Sequence, residues 1–172
     1  MWQSWPGGTS RHWTTFFENW FNNNWRHRIM MQRALELARQ AGRLGEVPVG
    51  AIVTRGNEVI AEAHNEVETA GQSTHHAEIL AIQRASASTG QKFLTNCTLW
   101  VTLEPCPMCA SAIANARIGK LVFGASDPKS GGVLFGPQIF DQPTCHHVPE
   151  VQSGQGAKES EKLLREFFQN LR

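Results

Sequence analysis

The sequence predicts one α/β domain, on three observations. An apolar period of helical type runs through Ala34, Leu37, Ala38 and Ala41 at i, i+3, i+4 and i+7. Two β-type runs at 49–54 and 58–63 follow it. From Thr98 onward strand, helix and strand alternate, the order of an α/β layer. At 172 residues the chain suffices for one such domain with a sizeable core, not for two of ordinary size.

The first helix is expected from Met30 to the stop signals Gly42 and Gly45. Arg55-Gly56-Asn57 between the first two β-type runs reads as a tight hairpin. A helix rich in Ala, Ile and Leu is predicted over 76–88, a strand over 98–103, a helix over 107–117 with Pro107 in its first turn, and a strand over 120–123. Residues 124–150 carry Ser130-Gly131-Gly132 and several prolines and read as loop. A last helix carries Leu164, Phe167, Phe168 and Leu171 at i, i+3, i+4 and i+7, a spacing that points to core. Neither an internal repeat nor a phosphate-cradling glycine motif is visible.

Sixteen Lys and Arg against 15 Asp and Glu give a formal charge of +1, which excludes a basic DNA-coating protein. No apolar run reaches the roughly 18 residues a bilayer helix needs, and the start lacks the pattern of a secretory signal. A cytoplasmic location is therefore expected. Cys97, Cys106, Cys109 and Cys145 are too few and too unevenly spread for a disulfide framework. Two of them, three apart beside prolines, point to metal in a reducing compartment.

Two motifs carry chemistry: His76-Ala77-Glu78 and Pro105-Cys106-Pro107-Met108-Cys109, each at a predicted helix start. Cysteines at i and i+3 share one face of a helical turn, so both sulfurs can reach one ion, and His76 adds a nitrogen donor. Three protein ligands leave a tetrahedral zinc ion one open position for a reacting water, whereas structural sites use four. Helix N-termini favour the thiolate forms. Glu78 is placed to handle protons beside the metal. A redox pair or half of a structural zinc finger is the alternative for an isolated CxxC, but no matching second pair occurs, and Cys97 and Cys145 stand alone.

With these residues the chain resembles the zinc-dependent cytidine and adenosine deaminases, whose signature is H-x-E followed by P-C-x-x-C. Glu46-Val47-Pro48-Val49-Gly50-Ala51, Thr102 to Ala110, Asn115-Ala116-Arg117-Ile118 and Val122-Phe123-Gly124-Ala125 resemble the bacterial tRNA-specific adenosine deaminases. The resemblance covers residue 30 to the C-terminus. It implies a three-layer α/β/α fold around a mixed five-stranded sheet, with a fifth strand hidden between Gly131 and Val151. It also implies a homodimer, one zinc ion per subunit on His76, Cys106 and Cys109, and Glu78 as the catalytic acid–base. The implied reaction is hydrolysis of adenosine to inosine at the wobble position of a tRNA anticodon stem-loop; no DNA partner is expected.

The resemblance extends to substrate contacts. Asn65 matches an asparagine that holds the flipped base, against a loop-capping alternative. Asp127 and Lys129 match positions near the sugar-phosphate, against an ordinary solvated turn. Phe167 and Phe168 match an aromatic pair near RNA, one of which would present a face for stacking. The chain departs from the family at Ser73-Thr74-His75 and at His146-His147-Val148, changes that bear on RNA contacts rather than on the metal; His75 and His146 are expected to be structural or surface residues. RNA binding would need locally clustered charge, with Arg117, Lys120, Lys129, Arg165 and Arg172 as candidates. Rival readings are a deaminase of free nucleosides or bases and a non-catalytic zinc module binding RNA or a partner; retention of Glu78 counts against the second.

Residues 1–29 stand apart. Eight of the fifteen aromatic residues fall within the first 25 positions, and three arginines face one acid before residue 29, against 13 and 14 after it. Trp13, Phe16, Phe17, Trp20 and Phe21 have helical spacing and could form a short amphipathic helix for a partner or membrane surface. The favoured expectation is a disordered or non-native start, with translation beginning at Met30 or Met31.

Overall fold

The computed structural model describes the backbone of residues 11–171 and the side chains of residue 25 and residues 27–171. In chain order the elements are α1 (Arg11–Arg43), β1 (Gly50–Arg55), β2 (Glu58–His64), α2 (Val67–Ala70), α3 (Ala77–Thr89), β3 (Cys97–Leu103), α4 (Pro107–Asn115), β4 (Lys120–Ala125), a 3-10 turn (Ile139–Asp141), β5 (Glu150–Gln152) and α5 (Ala157–Asn170). The five strands form one sheet in the order β2-β1-β3-β4-β5. β1 is antiparallel to β2 and β3, whereas β3, β4 and β5 run parallel. The expected mixed five-stranded sheet is thus present.

Alternation along the strands decides the layering. Ile52, Trp100 and Val122 turn to one face and pack with Met31, Ala34, Leu35 and Leu37 of α1. Their neighbours Val53, Leu99, Val101, Leu121 and Phe123 turn to the other face and pack with α3 and α4 through Leu80, Ala81 and Ile113. Gly50 permits the close approach of α1 to β1, since a Cβ there would collide with the Ala34 carbonyl and the Ala38 backbone nitrogen. α5 joins the α1 side, anchored by buried Ser160, whose hydroxyl donates to the Thr102 carbonyl at 2.5 Å. Arg39 Nη2 and Glu159 Oε1, 2.9 Å apart, tie α1 to α5.

One expectation changes: the first helix does not begin at Met30, because α1 is continuous from Arg11. His27 packs its ring edge-on to Trp100 at 4.9 Å, whereas Trp25 and Ile29 are exposed. Of the aromatic arm, residues 1–10 and the side chains of 11–24 lie outside the described residues, and with them the expected amphipathic face. The fifth strand, Glu150–Gln152, meets the 124–150 interval read as loop only at Glu150 and sits at the end of the 131–151 interval in which the resemblance placed it. It has three residues with an exposed, half-buried, exposed pattern, too little apolar content for a sequence signal, and pairing with Lys120, Leu121 and Val122 is what makes it a strand. Among the described residues no helix is long and apolar enough to cross a membrane.

Candidate active site

The site forms where two helices start side by side. His76 is the N-cap of α3 and Cys106 the N-cap of α4, both in extended backbone conformation and neither capped by a side chain. Pro107, at the first helical position of α4, needs no N–H partner there. One turn on, Cys109 is fully buried, and Glu78 is buried in the first turn of α3. His76 Nδ1 lies 3.7 Å from Cys106 Sγ and 3.5 Å from Cys109 Sγ. The three ligand atoms all fall within 4.8 Å of one another.

This donor set fits a zinc ion. Bond lengths of about 2.3 Å to sulfur and 2.0–2.1 Å to nitrogen, at a tetrahedral angle, separate S from N by about 3.6 Å. The electrostatics agree. The Cys106 thiol is lowered to about 4, by a hydrogen bond from Cys109 first and then by His76. Cys109 is pushed upward because it donates that bond and is buried beside Glu78. His76 is raised by its hydrogen bond to Cys106. The pair thus shares one proton, which a divalent cation would displace. Burial raises the Glu78 carboxyl to about 7, in the range useful for proton transfer.

His76, Cys106 and Glu78 form the floor of a cleft of about 540 Å³. One wall holds Asn65, just past the end of β2 and 6 % exposed. Its Nδ2 donates to Glu46 Oε2 at 3.0 Å, and Glu46 Oε1 accepts from the Thr69 backbone N–H at 2.6 Å. Burial works to raise the Glu46 carboxyl, but hydrogen bonds from Thr69, Glu68 and Asn65 outweigh it and hold the group below the ordinary range. Another part of the lining holds Glu104, also buried. Its Oε2 accepts from the Asp127 N–H at 3.0 Å; its Oε1 accepts from the N–H groups of Val133, Leu134 and Phe135 at 3.2, 2.8 and 3.1 Å. Gly131 packs against this carboxylate so closely that a Cβ would sit 2.5 Å from Oε1.

The structure brings His76, Glu78, Cys106, Asn65, Asp127, Phe167 and Phe168 to the cleft, and Cys109, which does not line it, completes the three-donor set. Asp127 also closes a turn, its Oδ1 accepting from the Lys129 and Ser130 backbone at 3.0 and 3.1 Å. Lys129 is exposed and does not line the cleft. The core reading of the α5 aromatics is overturned: Phe167 is half-buried and Phe168 is 50 % exposed, their rings edge-to-face at 5.4 Å. The reason is that α5 leans on the sheet through Ser160 and Leu163 and carries its last turns past the core, over the cleft.

Other expected RNA contacts are not gathered here. Lys120 pairs with Glu150 at 3.0 Å, Arg117 stacks over Phe93 at 4.3 Å, and neither they nor Arg165 line the cleft; Arg172 lies outside the described residues. His147 Nε2 is bonded to the Ile118 carbonyl at 2.7 Å, and His75 keeps a buried Nδ1 without a hydrogen-bond partner. Sequence reasoning assigned no role to Glu46 or Glu104. The available signal was an acid directly abutting an apolar strand segment, Glu46 before Val47-Pro48-Val49 and Glu104 after Thr102-Leu103, which is costly unless its oxygens are fully used.

The family model for MafB19-like deaminases matches residues 25–172. A tRNA-specific adenosine deaminase of Agrobacterium fabrum is 48% identical over 142 residues, which cover 83% of this chain and 93% of that protein. A solved structure from studies of A-to-I editing by tRNA:A34 deaminases at the wobble position of transfer RNA is 47% identical. It covers 78% of this chain and 98% of its own, with a TM-score of 0.77. A guanine deaminase from Nitrosomonas europaea shares 25% identity over 81% of this chain and 83% of its own, with a TM-score of 0.72. With its match to the family model over residues 25–172 and this identity over 83% of the chain, the chain belongs to the MafB19-like deaminases and to the family of tRNA-specific adenosine deaminases.

Proposed function

We propose that the protein converts adenosine to inosine, hydrolytically, at the wobble position of a tRNA anticodon stem-loop, with one zinc ion per subunit held by His76, Cys106 and Cys109. The observation that carries this reading is a three-donor metal set beside a buried carboxyl of near-neutral pKa, on the floor of an open cleft. The relatives' activities supply the substrate class. When bound, the ion supplies Lewis-acid activation of water.

Glu78 takes one proton from the attacking water and passes it to N1 of the adenine, and once the oxygen is bonded to C6 it carries the second water proton to the departing amine. The water oxygen bonds to C6, the bond from C6 to the exocyclic nitrogen breaks, and ammonia leaves. Asn65 holds the base from the wall, where an amide can both donate and accept. Asp127 and Lys129 contact the neighbouring sugar-phosphate, and Phe168, the more exposed of the α5 pair, offers a ring for stacking an unpaired base. A flipped or unpaired base is required because pairing would hide the amine.

The same reading makes the protein a homodimer, supported by exposed Leu134 and Phe135 on the loop that Glu104 organises. Light scattering of the purified protein reads that state. The activity is tested by incubating zinc-loaded protein with an anticodon stem-loop, with free nucleosides and with guanine, followed by mass spectrometry. A one-dalton gain at the wobble adenosine is the expected result. Turnover of a free nucleoside or base with no inosine in the stem-loop overturns the reading.

A further inference from the structure

We propose that Glu46 is a positioning residue for substrate recognition, fixing which edge of the Asn65 amide faces the cleft. An asparagine amide can turn over with little change in shape, exchanging a donor for an acceptor. Asn65 is denied that freedom. Glu46 Oε1 is taken by the Thr69 backbone N–H at 2.6 Å, and Oε2 receives Asn65 Nδ2 at 3.0 Å. A backbone N–H cannot accept and an ionised carboxylate cannot donate, so one amide orientation alone satisfies all three groups. Glu46 is fully buried, where water does not relieve the mismatch that the reversed amide would create.

The backbone offers no other adjustment, because the Asn65 N–H donates to the Val49 carbonyl at 3.0 Å and its carbonyl meets His64 Nδ1 at 2.9 Å. Oδ1 and the second amide hydrogen are left for the cleft that Asn65 lines, and among the described residues nothing donates to Oδ1. The edge shown to the substrate is thus chosen by a residue 19 positions away.

The charge logic predicts a reciprocal pair of substitutions. In Glu46→Gln the single remaining oxygen must serve the Thr69 N–H, so the new NH2 faces Asn65 and turns its amide over. Asn65→Asp sets two carboxylates against each other. When both substitutions are combined, the new amide at position 46 donates to one oxygen of the new carboxylate at position 65. The other oxygen of that carboxylate faces the cleft, as Oδ1 does in the native pair.

The kinetic arm of the test rests on the adenosine reading; a spectroscopic arm does not. Each single variant is expected to lose about 10-fold or more in kcat/KM on the stem-loop, carried mainly by KM, as for a hydrogen bond to a charged group. Zinc content should be unchanged, and the double variant should recover most of the loss. Losses that multiply in the double variant, or a kinetically silent Glu46→Gln, overturn the proposal. Nitrogen-15 spectra of the wild-type protein should show one slowly exchanging Asn65 side-chain amide proton that disappears in Glu46→Gln. Two rapidly exchanging protons in the wild type overturn it even if the variants fail to fold. If the wild type leaves the stem-loop unchanged, the adenosine reading falls and the spectra alone decide on Glu46.

Discussion

At the floor of the cleft, the metal donors and Glu78 come from the opening turns of two helices, and each motif's functional residues span no more than four positions. On the walls, Asn65 and Asp127 sit outside regular elements, held by carboxylates 19 and 23 positions away in the chain. Helix geometry places Cys106 and Cys109 together, so each half of the floor is a local construction, and the packing of α3 beside α4 joins the halves. The walls depend on buried acids whose oxygens are consumed by backbone and amide N–H groups. Chemistry and recognition in this molecule therefore have separate supports, and each can be broken without the other.

The largest effect should come from the floor. Glu78→Gln keeps the shape but cannot accept a proton, and should lower kcat by about 10³-fold, with zinc content by elemental analysis unchanged. Loss of zinc together with activity would show instead that Glu78 supports the metal. On the wall, Glu104→Ala strands four backbone N–H groups and should cost about 2–4 kcal/mol of stability. It should raise KM for the stem-loop while the zinc site still fills at low temperature. An unchanged KM in the folded variant would remove Glu104 from substrate recognition.

A smaller effect of opposite sign tests the strain of the floor. The Glu78 carboxyl is raised in the fold from 4.5 to about 7 by burial, so its ionisation opposes folding. The metal-free protein should lose stability as pH rises through that interval. Glu78→Gln should therefore stabilise the metal-free form at pH 7 by about 1–3 kcal/mol, with the advantage vanishing near pH 4.5 in denaturant titrations. Smallest of all should be Arg33→Ala, remote from both regions. Arg33 pairs with Glu62 at 2.7 Å and with Glu36 at 3.0 Å, at half-exposed positions, and its loss should cost about 0.5 kcal/mol. Glu62 is held low by Arg33, so this contribution is present above the ordinary carboxylate range and fades as pH falls below it. Chemical melts at pH 7 and pH 3 read the difference.

Legibility in the sequence followed the same division. The strands from Gly50 to Ala125 were readable because each buries one or both faces and so carries β-type apolar runs; their ends differ by one or two residues. β5 was not, since a three-residue edge strand owes its existence to pairing with β4. The α5 aromatics were misread for a related reason. Spacing at i, i+3, i+4 and i+7 shows that side chains share a face, but not what that face meets, and here it overhangs the cleft.

The α/β alternation and the two motifs that carry the candidate metal donors and acid are written in the chain, because each motif spans about one helical turn. Tertiary packing settled the rest. It brought the starts of α3 and α4 to 3.5–3.7 Å between donor atoms and set Glu46 and Glu104 as the supports of the two walls. Hydrogen-bond partners of a buried carboxylate are chosen by the packing of distant segments, and no local period records them.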